Sequence, residues 1–181
     1  TFLSTEYISK TSSAGVWRLK EKGNPASRYG AVMAWPVDTE YFYGARGSGQ
    51  VASSLQATPY SIGYLDSGHG NSMSELSEVM LLNKDGNWLT SKSKTGSIMA
   101  AAARAVLPHA PESWSDVSRV NQAGANTWPI VTFSHMLVHE DLSGIGAKGG
   151  LIKAYLEFIM SKEGQATTKM YGFESLPEST L

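Results

Sequence analysis

Apolar residues recur at helical spacing in four parts of the chain: residues 2–8, 50–56, 98–107 and 151–159. Side chains three and four positions apart share one face of a helix, so each part predicts an amphipathic helix. The turn-rich run Thr11 to Gly15 ends the first helix, and Pro59 and Pro108 follow the second and third. The last helix is interrupted at residues 161–164 and is predicted to resume to Met170.

Short apolar runs between these helices predict strands at residues 31–36, 61–65, 76–82 and 130–139. The last run is the longest and is almost continuously apolar, which is typical of a central strand covered on both faces. An Asp85-Gly86 pair predicts a hairpin turn that leads back through Trp88-Leu89. Because strands and helices alternate, the pattern predicts an α/β protein.

Length and composition limit the functional classes. The chain has 181 residues, of which 41% are apolar and 17% are charged; a chain of this size can bury a core of its own. Its 15 Lys and Arg against 16 Asp and Glu give a net charge of −1, which provides no electrostatic footprint for nucleic acid or an anionic membrane. No apolar run is long enough for a membrane span, and the absence of cysteine excludes disulfides, thiolate metal sites and thiol catalysis.

Two histidine-containing motifs are not expected to form a metal site or a catalytic site. His135 and His139 lie on a predicted strand, where residues four apart are separated by about 13 Å, too far to share one metal ion. Asp66, Ser67 and His69 lie in one loop, but their order and spacing are typical of a solvated turn. We therefore predict no catalytic residues, no metal site and no cofactor.

A glycine-rich loop, Arg46-Gly47-Ser48-Gly49, precedes the second helix. Free backbone N–H groups and the positive end of a helix dipole favour an anion at such a position. Ser48 adds a donor, Gly49 lets the backbone approach closely, and Arg46 can clamp an oxyanion with two hydrogen bonds. Arg46, Ser48 and Gly49 are thus the candidate ligand-binding residues; the alternative is a glycine-rich helix start that packs internally.

Several short motifs, spread over nearly the whole chain, occur in the same order as in a known family. They are Trp35-Pro36, Gly47-Ser48-Gly49-Gln50-Val51-Ala52, Thr58-Pro59-Tyr60-Ser61-Ile62-Gly63-Tyr64, Trp128-Pro129-Ile130-Val131, Leu137-Val138-His139-Glu140-Asp141, and the closing Gly164-Gln165, Tyr171-Gly172-Phe173 and Leu176-Pro177. These motifs are similar to those of the substrate-binding proteins of bacterial phosphate ABC transporters, including the DING-type relatives.

The resemblance implies a periplasmic-binding-protein-like fold of type II, in which two α/β lobes close on phosphate. Residues 1–122 would form the remainder of the second lobe, and residues 123–181 would form the crossing strand and the C-terminal return to the first lobe. The family's phosphate ligands lie upstream of a helix that Phe2 to Ile8 resemble, so none of them falls on a residue present here. The chain would thus be the C-terminal part, with the N-terminal half missing.

This resemblance implies a non-enzymatic, periplasmic or extracellular solute-binding protein. Its partners would be inorganic phosphate, held through the missing half, a companion segment or chain that completes the fold, and an ABC permease. Without that companion, we expect the strand near Ile130 and the helix from Leu151 to expose apolar faces. Two other functions stay open: a structural or protein-interaction module that reuses the fold without a ligand, and a hydrolase of phosphate esters acting through His69 and Asp66.

Overall fold

The computed structural model describes residues 1–13, 15–35, 41–42, 44–92, 98, 101 and 106–178. Its helices and strands are α1 (Phe2–Thr11), α2 (Gly47–Ala57), α3 (Ser67–Asn71), β1 (Leu81–Leu82), β2 (Trp88–Leu89), α4 (Ala147–Met160) and α5 (Lys162–Thr168). Short 3-10 helices cover Ser143–Ile145 and Lys169–Tyr171. Within these ranges, no helix combines the length and apolar character needed to cross a membrane.

Three of the four predicted helices are confirmed in α1, α2 and α4. Of the predicted helix 98–107, Ile98 and Ala101 are helical, and residues 99–100 and 102–105 lie outside the described residues. Residues 106–107 are described and are not helical, so the predicted end of this helix is wrong. The predicted interruption after α4 is confirmed at Ser161, whose hydroxyl accepts a hydrogen bond from the Gly164 N–H at 3.1 Å and caps α5. Gly164 is required at this turn because a Cβ there would lie 2.0 Å from the carbonyl oxygen of Phe158.

The predicted hairpin is also confirmed. β1 and β2 pair in antiparallel fashion, with Leu81 opposite Leu89 and Leu82 opposite Trp88. The turn depends on Asn83, a buried side chain whose Oδ1 accepts hydrogen bonds from the N–H groups of Asp85 and Asn87 at 3.1 and 2.9 Å. Its amide donates to the carbonyl oxygens of Gly124 and Ala125, both at 2.9 Å. One side chain therefore fixes the turn and ties it to a distant loop.

The other predicted strands differ from the structure. Residues 31–35 contribute one isolated bridge, from Met33 to Glu21, while residue 36 lies outside the described part. Residues 61–65 and 130–139 are assigned to neither strand nor helix, and of residues 76–82 the last two form β1. A strand exists only where a neighbouring segment supplies a ladder of hydrogen bonds, so an apolar run alone did not determine these elements. The described residues thus contain both helices and strands, as an α/β protein does, but their only sheet has two strands.

The core lies where the hairpin meets the segment around Trp128. Four buried side chains pack against one another there, those of Leu89, Ala101, Trp128 and Val131. Leu81 and Ile98 are partly buried and pack against this cluster. The apolar face of α4 lies outside this core, with Leu151 73% exposed and Phe158 49% exposed. That exposure agrees with the expectation for the helix from Leu151. The expectation of an exposed apolar face near Ile130 is wrong, because the adjacent Trp128 and Val131 are buried in the core. The division into residues 1–122 and 123–181 stays a prediction.

Candidate functional site

The glycine-rich loop forms the first turn of α2 rather than a free loop ahead of it. The helix begins at Gly47, whose φ of +70° suits glycine because it has no Cβ. Ser48 and Gly49 therefore lie inside the first turn, and the helix starts three residues earlier than the sequence predicted. The N–H of Arg46 donates to Oε1 of Gln50 at 2.5 Å, and the exposed Arg46 guanidinium has no partner among the residues described.

Ser48 is engaged by a carboxylate of the chain itself. Its hydrogen bond to the side chain of Asp66 is the largest influence that lowers the pKa of Asp66, from 3.8 to about 2. The N–H and Nδ1 of His69 each lie 3.0 Å from Asp66 Oδ1 and add to this shift. Asp66 also caps α3. The starts of α2 and α3, where Ser48 and Asp66 lie 18 positions apart in sequence, thus meet through a charged hydrogen-bond network.

The order of these contacts decides what the network can do. In a serine hydrolase, the imidazole lies between the serine and the carboxylate and takes the serine proton. Here Asp66 lies between Ser48 and His69, so the serine hydroxyl donates to a weakly basic carboxylate instead. The neighbouring Ser67 donates its hydroxyl to the carbonyl oxygen of Gly172 at 2.7 Å. This arrangement anchors two short helices and lacks the geometry that activates a nucleophile.

The same arrangement affects anion binding at α2. The Asp66 carboxylate already accepts the hydrogen bond that the Ser48 hydroxyl donates. An external oxyanion at this position would need the same donor. A dianion placed there would meet the negative charge of Asp66 at close range. The structure thus brings Ser48 together with an internal anion and leaves Arg46 and Gly49 exposed beside it. Arg46, Ser48 and Gly49 as ligands stay a prediction.

His135 and His139, which the sequence placed on a strand, make no metal site in the part of the chain that is described. His135 packs edge-on against Trp114, with ring centroids 5.3 Å apart, and both His135 and His139 are exposed. No group of three metal-ligating side chains that could hold an ion occurs within the described residues.

One buried polar cluster, formed by Glu6, Lys10 and Ser118, was not predicted from the sequence. Glu6 is 3% exposed, and its Oε1 accepts hydrogen bonds from Lys10 Nζ and Ser118 Oγ, both at 2.6 Å. The Glu6–Lys10 spacing of four on a helix was the available signal. Nothing in the sequence indicated that Ser118, 112 positions away, would complete the cluster. Its contacts join α1 to the loop after residue 110 and are structural.

An apolar groove lies between residues 137–139 and the start of α4. Six side chains line its volume of about 320 Å³, namely Leu137, Val138, His139, Leu142, Ile145 and Ile152. Leu137 is 99% exposed and Val138 is 47% exposed. Soluble monomers rarely leave a continuous apolar surface uncovered, so this groove is a second candidate site.

Comparison with known proteins extends the motif resemblance to almost the whole chain. No family model matches the sequence. A phosphate-binding protein PstS of Methanocaldococcus jannaschii is 29% identical over 157 residues, which cover 82% of this chain and 40% of that protein. A phosphate-binding protein PstS of Pasteurella multocida is 27% identical over 183 aligned residues, which cover 100% of this chain and 47% of that protein. The chain thus spans less than half the length of each of these relatives, and its resemblance to part of a phosphate-binding protein is confirmed.

Proposed function

We propose that these residues are the C-terminal portion of a solute-binding protein that binds inorganic phosphate outside the cytoplasmic membrane, in the periplasm or at the cell exterior. The observation that carries this proposal is the similarity of 82 to 100% of the chain to two proteins named for phosphate binding. The protein acts by binding and release, delivers phosphate to an ABC permease and needs no cofactor. The ligand-free interaction module is not favoured, because both relatives are named for a ligand.

The phosphate ligands lie in a part of the protein outside these residues. Two observations support this placement. The resemblance implies that the family's ligand motifs precede a helix similar to α1, and the glycine-rich start of α2 has its serine hydroxyl bonded to Asp66. A carboxylate with its pKa lowered to about 2 stays charged at every physiological pH and repels a second anion.

The complete fold has two α/β lobes, to which residues 1–122 and 123–181 contribute separately. The exposed apolar side chains along residues 136–138 and α4 support this proposal, because a complete lobe would bury them. A companion segment supplies the remaining strands and helices.

Isothermal titration calorimetry of the 181-residue chain with inorganic phosphate tests the placement of the ligands. We expect no heat of binding, because neither the α2 loop nor the Asp66 network offers a free oxyanion cradle. Sulfate serves as the matched control anion. Micromolar or tighter phosphate binding by this chain would contradict the placement, and loss of that binding in Arg46→Ala would locate the ligand at α2 instead.

A further inference from the structure

A short segment after α1 carries a row of cations on one side of the chain. Along residues 17–22 every second side chain is exposed, and these are Arg18, Lys20 and Lys22. The side chains between them are half-buried, and these are Trp17, Leu19 and Glu21. Such alternation is typical of an extended segment, in which successive side chains lie on opposite sides. The three exposed cations, named here the cation row, therefore extend over about 13 Å.

Pairing with a second segment holds the cation row in place. Two backbone hydrogen bonds, both 2.8 Å long, join residues 20–22 to residues 32–34. They surround an antiparallel bridge between Glu21 and Met33. Because Met33 is only 2% exposed, this pair lies on the inner side and its neighbours in sequence lie on the outer side. The outer side thus carries both lysines of the row beside Val32, which is 57% exposed.

The charge of the cation row is not neutralised by the chain around it. Residues 15–35 contain four cations and one carboxylate, which gives a local charge of +3 in a chain of net charge −1. That carboxylate, on Glu21, packs on the inner side against Gly30, where a Cβ would lie 2.1 Å from its Oε1. The fourth cation, Arg28, donates to the carbonyl oxygen of Trp17 at the start of the row. None of the three exposed cations forms an ion pair with any residue that the structure describes.

We propose that the cation row binds an anionic polysaccharide whose sugar units carry carboxylates. The ligand has several anionic groups in line, because a single small oxyanion cannot reach cations spread over about 13 Å. Arg18, whose Nε donates to the carbonyl oxygen of Gly15 at 2.5 Å, presents its two Nη groups to one carboxylate. Lys20 and Lys22 attract the neighbouring carboxylates as point charges. Val32 contacts the apolar face of a sugar ring.

Two features of the molecule favour this partner over other polyanions. The chain outside residues 15–35 is net negative, so a polymer strand can follow the row, whereas a broad anionic bilayer would repel the remainder of the molecule. Val32 offers a contact to the apolar face of a sugar ring, and an inorganic polyphosphate has no apolar group to use it. This inference rests on the proposed function only for the location outside the cytoplasmic membrane, where polysaccharides are accessible.

Isothermal titration of the 181-residue chain with polygalacturonate at low ionic strength tests the proposal. Lys20→Gln combined with Lys22→Gln removes two charges of the row. Lys84→Gln combined with Lys148→Gln is the matched control, because it removes two exposed charges elsewhere. We expect the row variant to weaken the affinity about fivefold or more, and the control to change it less than about twofold. Added salt should weaken binding by the unaltered chain, since exposed charges are screened.

A charge-retaining variant separates loss of charge from loss of structure. Lys20→Arg combined with Lys22→Arg should bind like the unaltered chain, and the fully methyl-esterified polymer, which keeps the sugar rings without their charge, should not bind. The proposal is overturned if polygalacturonate does not bind, if the two Gln variants lose affinity equally, or if the Arg variant fails to bind. Tighter binding of polyphosphate or of anionic lipid vesicles than of polygalacturonate would also overturn it.

Phosphate titration of the complete gene product keeps the two proposals separate. Polysaccharide binding by the cation row, with no phosphate binding by the complete product, would contradict the proposed function alone. Phosphate binding by the complete product, with no polysaccharide binding, would contradict the role of the cation row alone.

Discussion

The contact between Ser48 and Asp66 yields the sharpest prediction, because it determines whether the α2 loop is available to an external anion. Replacement of Ser48 by alanine removes the largest influence that lowers the pKa of Asp66 and leaves the contacts from His69 in place. We expect the pKa of Asp66 to rise from about 2 toward its ordinary value of 3.8.

The effect on stability is small and has a definite sign. The folded-state pKa of Asp66 lies below the unfolded value, so the stabilisation is fully present above 3.8 and is lost as the pH falls through about 2. Because the Asp66 side chain is 41% exposed, solvent screening limits this contribution to about 1 kcal/mol or less. Ser48→Ala should therefore weaken the chain slightly at neutral pH and hardly at all near pH 2.

Carbon-13 NMR of the Asp66 carboxyl group measures the pKa directly during an acid titration. Ser53→Ala is the matched control, since Ser53 lies on the same helix and donates to the carbonyl oxygen of Gly49 at 3.0 Å. The control should leave the Asp66 pKa unchanged. If Ser48→Ala also leaves it near 2, the serine is not bonded to Asp66, and the argument against an anion at α2 is refuted.

Three further predictions concern stability and are measured by urea unfolding of each variant. Asn83→Ala should cost about 2–4 kcal/mol because it breaks four partly buried hydrogen bonds of a buried side chain. A loss below about 0.5 kcal/mol, as expected for the exposed Asn87→Ala, would contradict the role of Asn83. Leu89→Ala should lower the free energy of unfolding by about 2–4 kcal/mol, because Leu89 is buried in the core. Leu137→Ala in the 181-residue chain should lower it by less than about 0.5 kcal/mol, because Leu137 is exposed. Equal effects of the two substitutions would show that the described core is wrong. Glu6→Gln should cost about 1–3 kcal/mol, since it weakens two short charge-assisted hydrogen bonds, and a neutral effect would remove the structural role assigned to that cluster.

Elements fixed by local interactions could be predicted from the sequence. The apolar periodicity located α1, α2 and α4, and the Asp85-Gly86 pair located the hairpin, because a helix face or a short turn depends on nearby residues. The start of α2 was wrong by three residues, since the glycines that suggested a loop tolerate the first turn of a helix equally well.

Features that depend on distant residues could not be predicted. The runs at residues 61–65 and 130–139 have the composition of strands, but no pairing segment lies beside them in the part of the chain described, and strand pairing is a non-local interaction. The Ser48–Asp66 contact is equally non-local, and it gives the serine at the start of α2 a partner within the chain. The motif resemblance succeeded where periodicity failed, because it compares the order of many residues along the chain.

Phosphate titration of the complete gene product, with and without Ser48→Ala, tests the central claim most directly. Phosphate should bind with micromolar or tighter affinity, and Ser48→Ala should leave that affinity unchanged, because the proposed function places the ligands outside these 181 residues. A complete product that binds no phosphate, or one whose affinity falls with Ser48→Ala, would contradict the account.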